Sequence, residues 1–271
     1  MNARQRQNRA IAALTAPAYV WLALTVFLPL AAMLYFSFLT VAPIGNRVPE
    51  LTLANYSDFF RKYIYWYNAW RSFELGLWVT GICLAIGYPA AFFLAKRISG
   101  RWREALFLLI ILPFWSNALV RTFSWTMVLR DPIDILFTYP AIVVGLVHAY
   151  LPYAILTIYV ALQGVDDSLV EASRSLGATR VQTFLRVLLP LSMPGVLSAV
   201  FLIFIPVVGS FMEPRILGGK NAIMLGPIIE GQFITAFNWP LGAALSFMML
   251  AIVLLIIALF SPLIRRYARV G

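Results

Sequence analysis

The sequence predicts an all-α membrane protein with six transmembrane helices. Composition is the first reason. Of 271 residues, 62% are hydrophobic and 12% charged, and the mean hydropathy is +0.85. That is too apolar for the surface of a soluble domain. Spacing is the second reason, because several uninterrupted apolar stretches reach the roughly 20 helical residues that cross a bilayer. Backbone in lipid must satisfy its own hydrogen bonds, so these stretches are helices rather than isolated strands. Charge placement is the third. The formal net charge is +10, yet the basic residues sit between apolar runs and form no single basic face, which excludes a nucleic-acid binder.

Taken in order, Arg4, Arg6 and Arg9 precede an apolar run from Ile11 to Leu39. That run exceeds the roughly 7–15 residues of a secretion-signal core, and no small-residue cleavage site follows, so it is read as an uncleaved first span. Six spans are expected at about 12–39, 72–95, 105–129, 141–163, 194–213 and 240–264, within a single transmembrane domain covering 1–271. Pro113, Pro152 and Pro206 fall inside spans and should kink them towards protein neighbours or a cavity. Most of the 21 basic residues lie on one side: Arg4, Arg6, Arg9, Lys96, Arg97, Arg101, Arg103, Arg174, Arg180, Arg186, Arg265, Arg266 and Arg269. By the positive-inside rule both termini and the 164–193 loop are cytoplasmic. Trp66, Trp70, Trp102 and Trp239 fall near span ends, where indole rings favour the interface. The outer segment 40–71 carries aromatics from Tyr56 to Trp70 with Arg61 and Lys62, and is read as an interfacial helix that is also compatible with partner docking. Cys83 is the one cysteine; it lies in an apolar span and forms no internal disulfide.

The 164–193 loop is the most structured of the connections. Ser168 with Glu171 fits a capping box that starts a helix. Gly177 permits a sharp change of direction. Thr179 with Gln182 fits a second capping box, starting a helix to about Leu188, and Pro190 and Pro194 mark the return to the membrane. Leu169, Val170, Leu176, Phe184 and Leu185 give these short helices apolar surface. Such surface beside charge marks either a contact site or a loop packed on its own chain or lipid.

The spacing of Glu171-Ala172-Ser173, Gly177 and Val187-Leu188-Leu189-Pro190 resembles the signature loop of bacterial binding-protein-dependent ABC importer permeases. Glu171, Ala172, Gly177, Leu189 and Pro190 match; Ser173 replaces the usual alanine and Val187 the usual isoleucine. The resemblance extends through Gly87-Tyr88-Pro89-Ala90, Leu94-Ala95-Lys96, Pro113-Phe114-Trp115-Ser116-Asn117 to Arg121, Leu217-Gly218-Gly219 and Trp239-Pro240-Leu241-Gly242-Ala243-Ala244. These segments are similar to spermidine/putrescine permeases of the PotB/PotH type, although the connection at Asp131–Pro140 looks shorter. The resemblance implies a type I importer permease core in a bacterial inner membrane. It implies a second homologous permease subunit, an ATPase dimer that carries ATP and Mg, and an extracytoplasmic solute-binding protein, with no cofactor on this chain. It further implies that the first short helix enters a cleft of the ATPase. Glu171 would orient that contact and Gly177 set the elbow, with Ser168, Leu169, Ala172, Ser173, Leu176 and Ala178 around them.

Polar residues at membrane depth are expensive and mark candidate sites. Arg121 lies about 16 residues into the third span, roughly 24 Å along a continuous helix, near the outer face. It either snorkels to the interface or docks the binding protein or closes an outer gate. A cationic solute needs carboxylates and aromatic faces, and Glu74, Glu213, Trp115, Trp125 and Tyr153 supply them. Alternatively Glu213 ends the fifth span and pairs with Arg215. Asn117, Ser116 and Ser124 either line a polar path or bond neighbouring helices. His148, the sole histidine, is expected to be a hydrogen-bonded helix residue rather than a zinc ligand. Gly218-Gly219-Lys220-Asn221 is not a phosphate-binding loop, because Pro214 stands where the first glycine belongs and Asn221 replaces the hydroxyl residue. No Ser/His/Asp array can be assembled. The sequence therefore points to a non-catalytic transport subunit. A self-contained secondary transporter, which would carry repeats and buried carboxylates, fits less well.

Overall fold

The computed structural model describes residues 3–43, 48–221 and 223–268. Of the predicted cytoplasmic charges, Arg269 lies outside these residues, as do the side chains of Arg4, Arg6, Arg9, Arg265 and Arg266. The described chain is helical, with one isolated antiparallel bridge between Leu39 and Leu51. Five helical runs are long and apolar enough to cross a membrane, and a bent helix pair makes a sixth.

Contacts divide the chain into two compact units. One comprises the residues up to Tyr63 together with Ile229–Leu250. In it α1 (Ala3–Leu22), a π turn (Ala23–Phe27) and α2 (Leu28–Ser37) form one run. Trp21, Leu24, Phe27 and Leu28 on that run are exposed, as expected of a helix whose solvent is lipid. Its C-terminal end is tied down by polar bonds. Asn55 Nδ2 donates to the Ser37 and Leu39 carbonyls at 3.1 and 2.9 Å. The Ser37 and Tyr56 hydroxyls lie 2.7 Å apart. These bonds seat α3 (Ala54–Arg61).

The predicted interfacial helix is therefore shorter than the aromatic run. It stops at Arg61, and α4 (Tyr63–Lys96) begins nine residues before the expected second span. Tyr and Trp lower the hydropathy of residues 63–71, but no Gly or Pro there stops a helix. The 34 residues of α4 extend about 51 Å, well beyond a hydrocarbon core of about 30 Å.

The second unit runs from Ile64 to Ile228 and resumes at Ala251. Its third span is not a single helix. α5 (Arg101–Ile111) passes through a 3-10 turn (Leu112–Trp115) into α6 (Ala118–Arg130), with a bend of 96°. Pro113 lacks the N–H that would continue the helix, and Ser116 is extended. The expected placement of Arg121 by counting along a straight helix consequently does not hold. α7 (Tyr139–Gln163) matches the fourth span.

After α8 (Asp167–Ser175) and α9 (Arg180–Thr183), a π turn (Phe184–Leu188) leads directly into α10 (Leu189–Val208). The fifth span is thus part of one 29-residue run from Arg180 to Val208. Pro190 does not restart the chain, because its missing N–H falls just after a π turn that already interrupts the regular bonding. The run ends at Gly209 rather than near Glu213. A further short helix, α11 (Leu225–Ile234), was not expected, and α12 (Trp239–Ala268) contains the sixth span.

The core of the second unit is a seam of α4, α7 and α10. Leu75, Val79, Ile142, Leu146, Ile158 and Ile203 are fully buried along it. α10 approaches α7 closely at Gly195, where an added Cβ would lie 2.9 Å from the Thr157 carbonyl and closer still to the Ala161 methyl. Lipid offers no hydrophobic drive between helices, so this intimate small-residue packing holds them. Gly195→Val is expected to destabilise the detergent-purified chain by about 1–3 kcal/mol through overpacking. Thermal unfolding beside Gly81→Ala, where nothing lies within 4 Å, measures it; equal melting of the two variants would contradict the contact.

Candidate functional site

The 164–193 loop folds into two short helices at a sharp elbow. The first cap differs from expectation. Asp166, not Ser168, caps α8, accepting from the Ser168 N–H at 2.9 Å. Hydrogen bonds from the Ser168 backbone and then its side chain hold the Asp166 carboxyl below its usual range, and Lys96 adds to this. A carboxylate placed two residues earlier is the better partner for the helix dipole, so it displaces the Ser168–Glu171 box.

The elbow itself is a Schellman turn. Ala178 N–H reaches the Ser173 carbonyl at 3.2 Å, and Gly177 N–H the Arg174 carbonyl at 2.9 Å. Gly177 has φ +83°, a backbone region that side chains with a Cβ resist. The second cap is as expected. Thr179 Oγ1 accepts from the Gln182 N–H at 3.3 Å and Gln182 Oε1 from the Thr179 N–H at 2.9 Å. Ser173 and Thr183 hydroxyls meet at 3.1 Å across the elbow. Alanine at 173 could not make that bond, so the departure at this position adds a tie between the two helices.

The two readings of the apolar loop surface each hold for part of it. Val170 and Phe184 pack inward on the core. Leu169, Leu176, Val181 and Leu185 face outward, with Leu176 89% exposed. Ser168, Glu171 and Ala172 are also exposed, while Ser173 and Ala178 are half-buried. A rigid elbow with an outward apolar edge and a free carboxylate is suited to docking.

One residue of this region was read in the sequence only as a cytoplasmic charge and as part of a motif. Lys96, the last residue of α4, donates to the Val165 carbonyl at 2.6 Å and to Asp167 Oδ1 at 2.7 Å. It borders a cleft of about 210 Å³ with Phe92, Arg97, Val170, Glu171 and Arg174. Nearby, the Tyr88 ring stands edge-on to Phe184 at 5.5 Å, and its hydroxyl lies 2.8 Å from that of buried Ser192.

The candidate pathway residues separate into two groups. Around the 96° bend, Trp125 Nε1 donates to His148 Nδ1 at 3.2 Å, which makes His148 the hydrogen-bonded helix residue expected of it. Arg121, Trp125 and His148 line a cleft of about 310 Å³ with Pro113. Tyr153 stacks edge-on with Phe114 at 4.7 Å and lies 5.8 Å from Tyr150. Glu213 is half-buried beside the π turn Pro214–Gly218. Burial raises its carboxyl above the usual range; its own backbone N–H and Arg121 oppose the rise. Glu213 and Arg121 both act electrostatically on Tyr150. Glu74 belongs elsewhere. It acts on Tyr139, over whose ring the Arg71 guanidinium sits at 5.3 Å.

Several polar groups are bonded locally, and of these Ser116 and Ser124 also line the cleft at the bend. Asn117 caps α6, accepting from Leu119 N–H at 2.8 Å. The Pro113 carbonyl accepts from Ser116 Oγ at 2.7 Å and from Arg121 Nη1 at 3.0 Å. Ser124 Oγ bonds the Val120 carbonyl at 2.9 Å. Trp115 is 85% exposed.

Comparison with known proteins gives a consistent picture. Residues 87–269 match the family of binding-protein-dependent transport system inner membrane components. The chain is 35% identical over 258 residues to the spermidine/putrescine transport system permease protein PotB of Haemophilus influenzae, covering 89% of this chain and 90% of that protein. It is 36% identical over 242 residues to PotB of Escherichia coli K12, covering 83% and 87%. Among solved structures, a bacterial ABC transporter involved in alginate import superposes with a TM-score of 0.73 over 96% of each chain, at 16% identity, and so shares the fold. With its apolar spans and that fold, the chain belongs to the binding-protein-dependent transport system inner membrane component family, as a multi-pass permease subunit of an ABC importer.

Proposed function

We propose that this chain forms one transmembrane part of an importer for polyamine cations, driven by ATP hydrolysis on separate subunits. The observation that carries the importer reading is the capped elbow at 166–188, which presents Glu171 and Leu176 outward. The substrate class rests on the relatives covering 83–89% of the chain, which are spermidine/putrescine permeases by name. In this reading the elbow and both termini face the cytoplasm, in keeping with the basic residues on that side.

An ATPase dimer holding ATP and Mg grips α8. A second, related permease completes the pathway, and an external binding protein delivers the solute. Nucleotide binding favours one arrangement of the ATPases over the other. That unequal affinity is the free energy that shifts the permease between inward- and outward-facing states. Tyr150, Tyr153 and Phe114 supply aromatic faces for an amine, and Glu213 the counter-charge. Arg121 beside Glu213 weakens that counter-charge, so the site holds a cation loosely and releases it readily. Glu74 beside Tyr139, and separately the exposed Trp115 next to Phe114, are further positions at which a cation can be handed on.

Glu171→Lys should leave the protein in the membrane while lowering polyamine uptake by about tenfold or more, a lost charge-assisted contact. Radiolabelled spermidine uptake into cells carrying the whole transporter measures this, and normal uptake contradicts the docking role. Glu213→Gln should reduce uptake at limiting spermidine by about threefold to tenfold, the scale of one partly screened charge pair. The Glu213 carboxyl is raised above its usual value, so wild-type uptake should fall on mild acidification as the carboxylate protonates. In Glu213→Gln that part of the pH dependence should vanish. Identical pH profiles would assign Glu213 to structure alone.

A further inference from the structure

We infer that Lys96 is a positioning residue for energy coupling, joining α4 to the coupling helix so that the two move together. The inference rests on the importer reading above. α8 is bound covalently to α7 through Gly164–Asp166 and to α10 through the elbow. α4 has no such link. Its polar connection to the base of α8 is the Lys96 ammonium, which bonds both the Val165 carbonyl at 2.6 Å and Asp167 Oδ1 at 2.7 Å.

The placement suits that role. Lys96 is the last residue of α4, Val165 lies just beyond the end of α7, and Asp167 is the first residue of α8. One side chain therefore gathers the cytoplasmic ends of three helices. Its side chain is 12% exposed and the Asp167 side chain 76%. The carboxylate bond is screened by solvent, as exposed ion pairs are. The bond to the carbonyl is not, because Val165 is buried. Losing Lys96 would leave that carbonyl unpaired. Alongside, Tyr88 packs on Phe184 at 5.5 Å and bonds Ser192 of α10, and Phe92 and Val170 line the same cleft; none of these bonds reaches α8. Lys96 supplies the directional bond that does.

The test measures ATP hydrolysed per spermidine imported, using the complete transporter in proteoliposomes with its binding protein. Lys96→Met should assemble and hydrolyse ATP, with the ratio raised about tenfold, the scale of one charge-assisted bond. Asp167→Asn, which keeps the carbonyl bond and perturbs the fold little, should raise it about twofold, the scale of an exposed pair. Because both act through the same ammonium, the double variant should be no worse than Lys96→Met. Lys96→Arg, which keeps the donors, should stay within about twofold of wild type. A wild-type ratio in both Lys96→Met and Asp167→Asn would overturn the inference. So would Lys96→Met failing to assemble while Asp167→Asn keeps the wild-type ratio. If wild-type transporter shows no spermidine-dependent hydrolysis while a control importer does, the importer reading fails instead.

Discussion

A helix break frees backbone groups that need partners, most urgently in lipid where there is no water to supply them, and the irregular turns described above are built around that constraint. The 96° bend in the third span frees carbonyls on one side and N–H groups on the other. Arg121 and Ser116 close the first at Pro113, and Asn117 closes the second at Leu119. At the elbow, Asp166, Thr179 and Gln182 cap the two helix starts while Gly177 and Ala178 satisfy the end between them. Polar residues in these positions are first of all structural. Their functional roles are secondary uses of groups already fixed by backbone bonding.

This ordering explains what was legible in the sequence. Hydropathy located the spans because crossing a bilayer demands a length of apolar helix that nothing else in a protein requires. Gly177 and the Thr179–Gln182 box were legible because a left-handed turn and a reciprocal cap each need particular residue types at fixed offsets. The Ser168 box was misplaced by the same logic. Two residues could cap there, and local pattern does not rank Asp166 over Ser168 without knowing where the chain leaves α7. The start of α4 was hidden by Tyr and Trp, which score as neither apolar nor polar on a hydropathy scale although they suit the interface.

The candidate pathway was harder to read, for a different reason. Sequence identifies which side chains suit a cation but not which of them meet. Glu213 and Arg121 are 92 positions apart, and only the folded chain lets both act on Tyr150 of α7. Glu74 has the same chemistry as Glu213 and sits with Arg71 and Tyr139 instead. Lys96 was overlooked as a site because a lysine at the cytoplasmic end of a span already has a sufficient explanation in membrane topology. Its bond to the Val165 carbonyl exists only in three dimensions.

The length of α4 has a mechanical meaning. The 34-residue α4 comes close to α10 at Gly76 and to α7 at Gly87, and it stays helical through Pro89. If α4 tilts as one body on these contacts, its two ends are coupled. A tilt of about 10° about its centre carries each end about 4 Å in opposite directions, given about 51 Å of length. A displacement at one end of α4 would then be matched by an opposite one at the other, with no separate signal needed to coordinate them.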